Sequence, residues 1–491
     1  MIIGHQKNLL SFLCKILLPD TSMLNFKFPV QFLNLKLFSM KTSKRIFAIV
    51  IVLVIVTTVV VSSTLNFDSP KNNPRKPFTS VRVVKNHESF GNVFALNHFQ
   101  HGQSINKVIV NASPLPEFVQ TAMKYLAAAQ FENGGWGSGS HYSQGENDPH
   151  AVQIDAATTA FVGMALIRSG NTHESGLYAE NVKKAIDLLL EVVEKSPENT
   201  LIVIDVTNTQ PQVKLGQNID ASMCSQFFSR VLDTMTSNDP LRDRVIAANE
   251  KCLVKVQGQM NTNGSVNGAG WAGVLQSSMA NQAIERAVNT SSVSDATADQ
   301  LDEVLQSTQD YQMKNIDIVS GEAKTEESAG VGLYSVTSTT RATAVPAKEA
   351  EDLVEKGKKD GTLKDDKVNE DNLMDMGMTQ EDAEHYTYAW TANETAKAQL
   401  NDESLLSGFG NNGGEEFLSF MMTSEALVIS GGEEWLDWNK KMHDRMSQVQ
   451  NSDGSWSGMH CITSPVFCTA AVIMTLTADR DANFLMKTVS R

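Results

Sequence analysis

Positive charge is scarce where most of the chain lies. Of 491 residues, the first 85 hold 12 Lys/Arg against only Asp20 and Asp68, whereas the remainder carries 29 Lys/Arg against 54 Asp/Glu. So acidic a body repels a polyanion, and no basic stripe interleaved with aromatics offsets the repulsion, so nucleic-acid binding is excluded. Sustained period-two alternation is missing from the body as well, and an all-α fold is expected. No D-x-D-x-D-G loop occurs, so calcium of the EF-hand kind has no seat, and nothing names a cofactor. What is present is ordinary for a globular chain, with 41% hydrophobic and 20% charged residues and length enough for a sizeable core.

One uncharged apolar run stands out, Ile46 to Val61 (IFAIVIVLVIVTTVVV), preceded by Lys41, Lys44 and Arg45. A charged stretch followed by an apolar one marks a signal peptide or signal anchor, and 40–67 is expected to be one of the two. The run alone is short of the roughly 20 residues of a spanning helix, but Ser62 to Phe67 extend it without charge. Basic residues on its N-terminal side place the body outside the cytoplasm, anchored in the membrane, or secreted if the segment is cleaved. Met40 opens this segment as a start codon would, so 1–39 is expected to be an extension outside the fold. The stretch 68–110, with SPKNNPRKP near its start, reads as a tether.

From 111 to 485 two kinds of segment alternate. Amphipathic ones occupy 117–131, 178–195, 241–260, 295–314, 379–400 and 433–450, with 348–358 as an extra piece. Between them, 150–169, 219–236, 269–287, 330–346, 412–431 and 463–478 are small or apolar nearly all round. An amphipathic helix keeps a solvent side and an all-round apolar one must be buried, so six outer and six inner helices in two concentric layers are expected. The charged stretch 360–379 reads as a surface insertion.

Gln130-Phe-Glu-Asn133-Gly134-Gly-Trp136 and Gln450-Asn-Ser-Asp453-Gly454-Ser-Trp456 share the spacing Q-x-x-[DN]-G-x-W, each after an outer and before an inner segment. Gln259 to Ser265 is a degenerate third copy. These motifs resemble the QW repeats of squalene-hopene cyclases and related prenyltransferase-like (α/α)6 toroids. The resemblance implies a toroid in which the Gly takes a left-handed conformation and the Trp plugs the space between layers. It does not extend to the chemistry. The D-x-D-D acid of the cyclases is absent, no Asp, Cys and His set matches the zinc of protein prenyltransferases, and no metal site is read. Asn412-Gly413-Gly414-Glu415-Glu416 resembles the thioester sequence of complement-like toroids, with Gly in place of Cys and Glu in place of Gln, so no thioester forms.

In such toroids the inner-helix N-termini ring a central mouth. Those positions hold Asp148, His150, Asp155, Asn218, Asp220, Arg341, Asn411, Glu415, Glu416, His460, Cys461 and Thr463. Helix starts collect capping Asp, Asn, Ser and Thr, but capping does not ask for histidine. His460, Glu415, Glu416, His150 and Asp155 are therefore the candidate acid–base or binding set, expected to line one concavity. The expected function is binding of a ligand or partner protein in the central cavity, with an enzyme acting on a carbohydrate or isoprenoid as the alternative. Cys224 and Cys252 fall at similar heights on either side of the turn Asn238-Asp239-Pro240 and can form a disulfide in an oxidising compartment.

Overall fold

The computed structural model describes residues 114–266, 270–290 and 292–487, all within the compact unit Pro77–Arg491. The segments 1–39, 40–67 and 68–110, with the apolar run Ile46 to Val61, lie outside the described residues.

Short polar side chains start many of the helices. Asp155, Thr209, Ser294, Asn369, Thr379, Asp402 and Ser464 each accept a backbone N–H in the first turn that the helix itself leaves without a partner. Among the described residues there are sixteen α-helices and no strand. In order they are α1 (Glu117–Ala128), α2 (Ala156–Arg168), α3 (Ala179–Lys195), α4 (Gln210–Leu215), α5 (Ile219–Thr234), α6 (Arg242–Gln257), α7 (Gly273–Asn289) and α8 (Asp295–Met313). There follow α9 (Gly332–Lys359), α10 (Glu370–Asp375), α11 (Gln380–Gln399), α12 (Glu403–Leu406), α13 (Gly414–Ser430), α14 (Gly432–Gln448), α15 (Pro465–Leu476) and α16 (Ala482–Leu485).

Burial follows composition. Every residue of the apolar α2 and α15 is buried, whereas α3 buries only one stripe: Val182, Ala185, Ile186, Leu189, Leu190 and Val193. The buried helices pack in a closed sequence, α2 on α5, α5 on α7, α7 on α9, α9 on α13, α13 on α15, and α15 back on α2. The amphipathic helices lie against them: α1 on α15, α3 on α2, α6 on α5, α8 on α7 and α9, α11 on α9, and α14 on α13 and α15.

The two Q-x-x-[DN]-G-x-W turns have matching geometry. Trp136 Nε1 donates to Leu126 O in α1 (2.7 Å), and its backbone N donates to Thr159 Oγ1 in α2 (3.0 Å). Trp456 repeats this with Met446 O in α14 (2.9 Å) and Thr469 Oγ1 in α15 (2.9 Å). Each Trp is buried and ties an amphipathic helix to a buried one. The Gln reaches sideways: Gln130 Nε2 donates to Asn181 O in α3, and Gln450 Nε2 donates to Phe118 O in α1, 332 residues away. The glycines Gly134 and Gly454 have φ of +93° and +91°, and a Cβ there would strike the backbone of Lys184 and Thr121.

Two boundaries differ from expectation. The pieces 330–346 and 348–358 are one helix, α9, that runs through Pro346. Proline removes one donor and strains the preceding turn, but Pro346 is itself buried and α9 is held on both sides by α11 and α13, so packing overrides it. The stretch 360–379 carries more than surface charge. It contains α10, and Leu363, Leu373 and Met378 form a small core with Ala350, Leu353 and Val354 of α9 and Ala383 of α11.

Arg341 is not a mouth residue. It sits in the third turn of α9, its guanidinium bonded to Glu285 and to Glu425 Oε2 (2.9 Å). Arg168 and Arg286 reach the same Glu425 carboxylate from α2 and α7, and Arg168 and Arg230 share Asp481. Burial opposes the charge, but three arginines hold Glu425 ionised, with its pKa well below the usual carboxylate range. Cys224 in α5 and Cys252 in α6 do not form the expected disulfide: both are free, buried thiols, and Cys224 Sγ faces Ala156 O at 4.0 Å. Cys461 and Cys468 are free as well. No helix among the described residues is long and apolar enough to cross a membrane.

Candidate functional site

The start of α13 and the loop that precedes α15 meet where Gly413 and Gly414 allow close approach. A Cβ on Gly413 would lie 2.7 Å from His460 O and 3.0 Å from its ring, and one on Gly414 would strike Ile462. This contact brings Glu415, Glu416 and His460 together. Glu416 is buried and fully engaged: its Oε2 accepts from Gly413 N (2.8 Å) and its Oε1 from the Tyr334 hydroxyl (2.7 Å). His460 Nε2 lies 2.9 Å from Asn411 O and 3.7 Å from Glu416 Oε2.

Glu415 is the unusual member. One oxygen accepts a long 3.3 Å bond from Ile462 N, and the other, Oε1, is buried with no partner. Burial first, and then the neighbouring Glu416 charge, push its carboxyl up to about 8, so it keeps its proton at neutral pH. A protonated carboxyl has a hydrogen to give, and no acceptor within the fold receives it. The adjacent Cys461 has φ of +60°, a left-handed conformation that costs a residue with a side chain energy. Its thiol is pushed up to about 12 by burial and by Glu415, so it is no ready nucleophile.

Around this core stand residues that the sequence pattern does not single out. Lys214, at the end of α4, has its Nζ 4.5 Å from the centre of the Trp271 ring, and its charge acts on the nearby Cys461 thiol. Trp271 stacks on Phe409 with centroids 5.2 Å apart, and Phe409 meets the His460 ring edge-on at 5.3 Å. Both aromatics are more than two-fifths exposed, large apolar surface left in solvent beside a polar pocket. The loop is braced from the other side: Gln210 Oε1 accepts from Thr463 N (2.6 Å) and Ser464 N, and Gln144 Nε2 donates to Cys461 O. Tyr334 and Trp271 carry a signal in hindsight, as aromatics with a polar handle at inner-helix starts. Lys214 carries none, because α4 lies in what reads as a loop.

The other expected members sit elsewhere. Among the described residues no hydrogen bond, ion pair or ring contact joins His150 or Asp155 to the three above. His150 lies at the surface, with Nε2 3.1 Å from Ala128 O and its ring against Phe131. Asp155 is the cap of α2. Its carboxylate accepts from Thr158 N and Oγ1 and from Ser138 N and Oγ, which leaves little free for a ligand. Asp220, likewise buried, accepts from Gln212 Nε2 (2.7 Å) and Ala157 N, and burial together with Asp155 raises its pKa to about 7. Asn218 bonds Val256 O, and Asp148 accepts from His150 N. No family model, curated protein or solved structure matches the chain.

Proposed function

We propose that the body is an (α/α)6 toroid, similar in plan to the squalene-hopene cyclase and prenyltransferase repeats, that binds a ligand or partner at its inner-helix starts. The observation that carries this reading is the convergence of Glu415, Glu416 and His460 with Tyr334, Lys214 and the exposed Trp271–Phe409 pair. A buried carboxyl with an unpartnered oxygen beside exposed aromatics is a place where a ligand gains both a hydrogen bond and apolar contact. The closed packing sequence of the six buried helices and the Gln450 bond back to α1 support the toroid plan. The segment 40–67 would hold this body outside the cytoplasm.

The second reading, an enzyme on a carbohydrate or isoprenoid, is favoured by the Glu415 proton. A carboxyl that titrates near 8 is a general acid at neutral pH, and His460, whose Nδ1 has no partner, supplies the base.

Panels of oligosaccharides and of isoprenoid alcohols and diphosphates, screened by thermal shift, test both readings. A ligand that raises the melting temperature of the parent is expected not to raise that of Glu415→Gln or His460→Ala. The His460 side chain is 23% exposed and caps no helix, so unliganded His460→Ala should melt close to the parent. Equal ligand response in all three proteins rejects the site, and conversion of the bound compound separates enzyme from binder. A reporter active only in the cytoplasm, fused after Arg491, should stay dark, and a signal from it rejects the placement.

A further inference from the structure

Tyr334, Ser338 and Arg341 lie at positions i, i+4 and i+7 of α9, so they share one face of the helix. Contacts at both ends of that face aim it between α7 and α13. The Tyr334 hydroxyl donates to Glu416 Oε1 of α13, and the Arg341 guanidinium bonds Glu285 of α7 and Glu425 of α13. Ser338 stands between them and faces the same interior. On α7, Gln282 lies one turn after Ser278, whose hydroxyl donates to Met422 Sδ of α13 at 3.1 Å, and one turn before Arg286, which holds Glu425 of α13. On α13, Ser419 is one turn in from Glu415.

Ser338 Oγ, Ser419 Oγ and both ends of the Gln282 amide are buried, and none of them has a hydrogen-bond partner. Glu415 Oε1 is in the same state at the outer end of this stretch, and Arg286 Nε at the inner end. A buried donor or acceptor left unbonded destabilises a fold, and most have a partner. One such atom is ordinary. Here α7, α9 and α13 each turn one or more toward the interior that separates the Glu415 pocket from the arginine cluster, and an occupant with hydrogen bonds of its own would satisfy them together.

We propose that the pocket at the inner-helix starts continues inward between α7, α9 and α13 and holds an uncharged polyhydroxylated ligand, a sugar or polyol, whose hydroxyls bond Glu415, Ser419, Ser338 and Gln282. This inference rests on the binding reading above and narrows its ligand class. A ligand hydroxyl both donates and accepts, which matches two serine hydroxyls, an amide and a carboxyl that keeps its proton. An isoprenoid chain would cover the same atoms without bonding them, and a site built of hydrogen-bonding groups rejects such a ligand. A charged ligand would meet a cluster already balanced, with Arg168, Arg286 and Arg341 facing Glu285, Glu425 and Asp481.

The test titrates the full chain calorimetrically with glucose, N-acetylglucosamine, cellobiose, maltose and inositol, and with geraniol as the apolar arm, with thermal unfolding followed in parallel. At least one sugar or polyol should bind saturably and raise the melting temperature, and geraniol should do neither. Ser338→Ala and Ser419→Ala should each weaken that binding by about tenfold. Each removes a hydroxyl that bonds nothing in the ligand-free fold, so the unliganded variants should melt no lower than the parent. A clear fall in their unliganded melting temperature would show those hydroxyls already bonded and overturn the proposal, as would unchanged sugar affinity in both variants or the absence of saturable sugar and polyol binding. Geraniol binding that Glu415→Gln abolishes, with no sugar bound, overturns the ligand class and leaves the outer pocket standing, so the two failures are distinct.

Discussion

Glu415 keeps its proton because the start of α13 places it away from water beside a second carboxylate, and that has a consequence for stability. Its folded pKa, about 8, lies above the ordinary 4.5. Below pH 4.5 both folded and unfolded chains hold the proton, so the pocket carries no penalty. Between 4.5 and 8 the unfolded chain releases it while the fold retains it, and stability falls with rising pH by up to about 5 kcal/mol. Glu415→Gln removes the titration. Melting profiles of parent and variant should therefore diverge from pH 5 to 8, the parent losing more, and run parallel above that. Parallel profiles across the whole range would show that Glu415 is ionised in the fold. At this scale the sequence is partly legible. Glu415, Glu416 and His460 stand out as charged or titratable groups at the start of an apolar helix and in the loop before another. Their separation from His150 and Asp155 is not legible, because a helix cap and a site residue use the same side chains and differ only in what their lone pairs face.

Element boundaries are written mainly in patterning and turn chemistry. Ten of the twelve long helices fall within a few residues of the segments expected from amphipathic and apolar alternation, since burial of one stripe or of all sides leaves its mark on composition, while α2 starts six residues after the expected 150 and α9 runs past 346 to Lys359. Pro346 is the exception, and the join at α9 comes from neighbours that hold the helix on both sides. The turn glycines can be tested against one another. Gly454 has φ of +91°, and a Cβ there would lie 2.7 Å from Thr121 Cγ2 and 2.9 Å from Thr121 O, whereas Gly361 has φ of +78° and open space around it. Gly361→Ala should cost about 1 kcal/mol, from backbone conformation alone. Gly454→Ala should cost about 2–4 kcal/mol, because α1 must also move away from the turn that follows α14. Urea denaturation of the two variants gives the comparison, and equal losses would mean that the α1 contact yields freely.

Across the whole helical body, the arginine cluster holds the buried helices by charge as well as by packing. Glu425 from α13 accepts from Arg168 of α2, Arg286 of α7 and Arg341 of α9, so one carboxylate joins helices that are not all neighbours. Glu425→Ala leaves the buried Arg286 without its carboxylate, while Arg168 keeps Asp481 and Arg341 keeps Glu285, and should destabilise the body by about 3–5 kcal/mol in urea unfolding. A loss under 1 kcal/mol would show that the arginines find other partners at little expense.

What the sequence determined by itself is helical class, helix placement and the two kinds of helix, because each is a local or periodic property that survives without knowledge of neighbours. The left-handed turn glycines and the tryptophans at the layer junctions belong with these, since Gly and Trp in a fixed spacing leave few alternatives. Only the tertiary structure decided which polar side chains meet. Arg341 lies among the buried ion pairs, Asp155 is consumed by capping, and Lys214 and Tyr334 enter the pocket. Each depends on contacts between residues tens to hundreds of positions apart, and no pattern along the chain encodes where two buried helices bring their charges together.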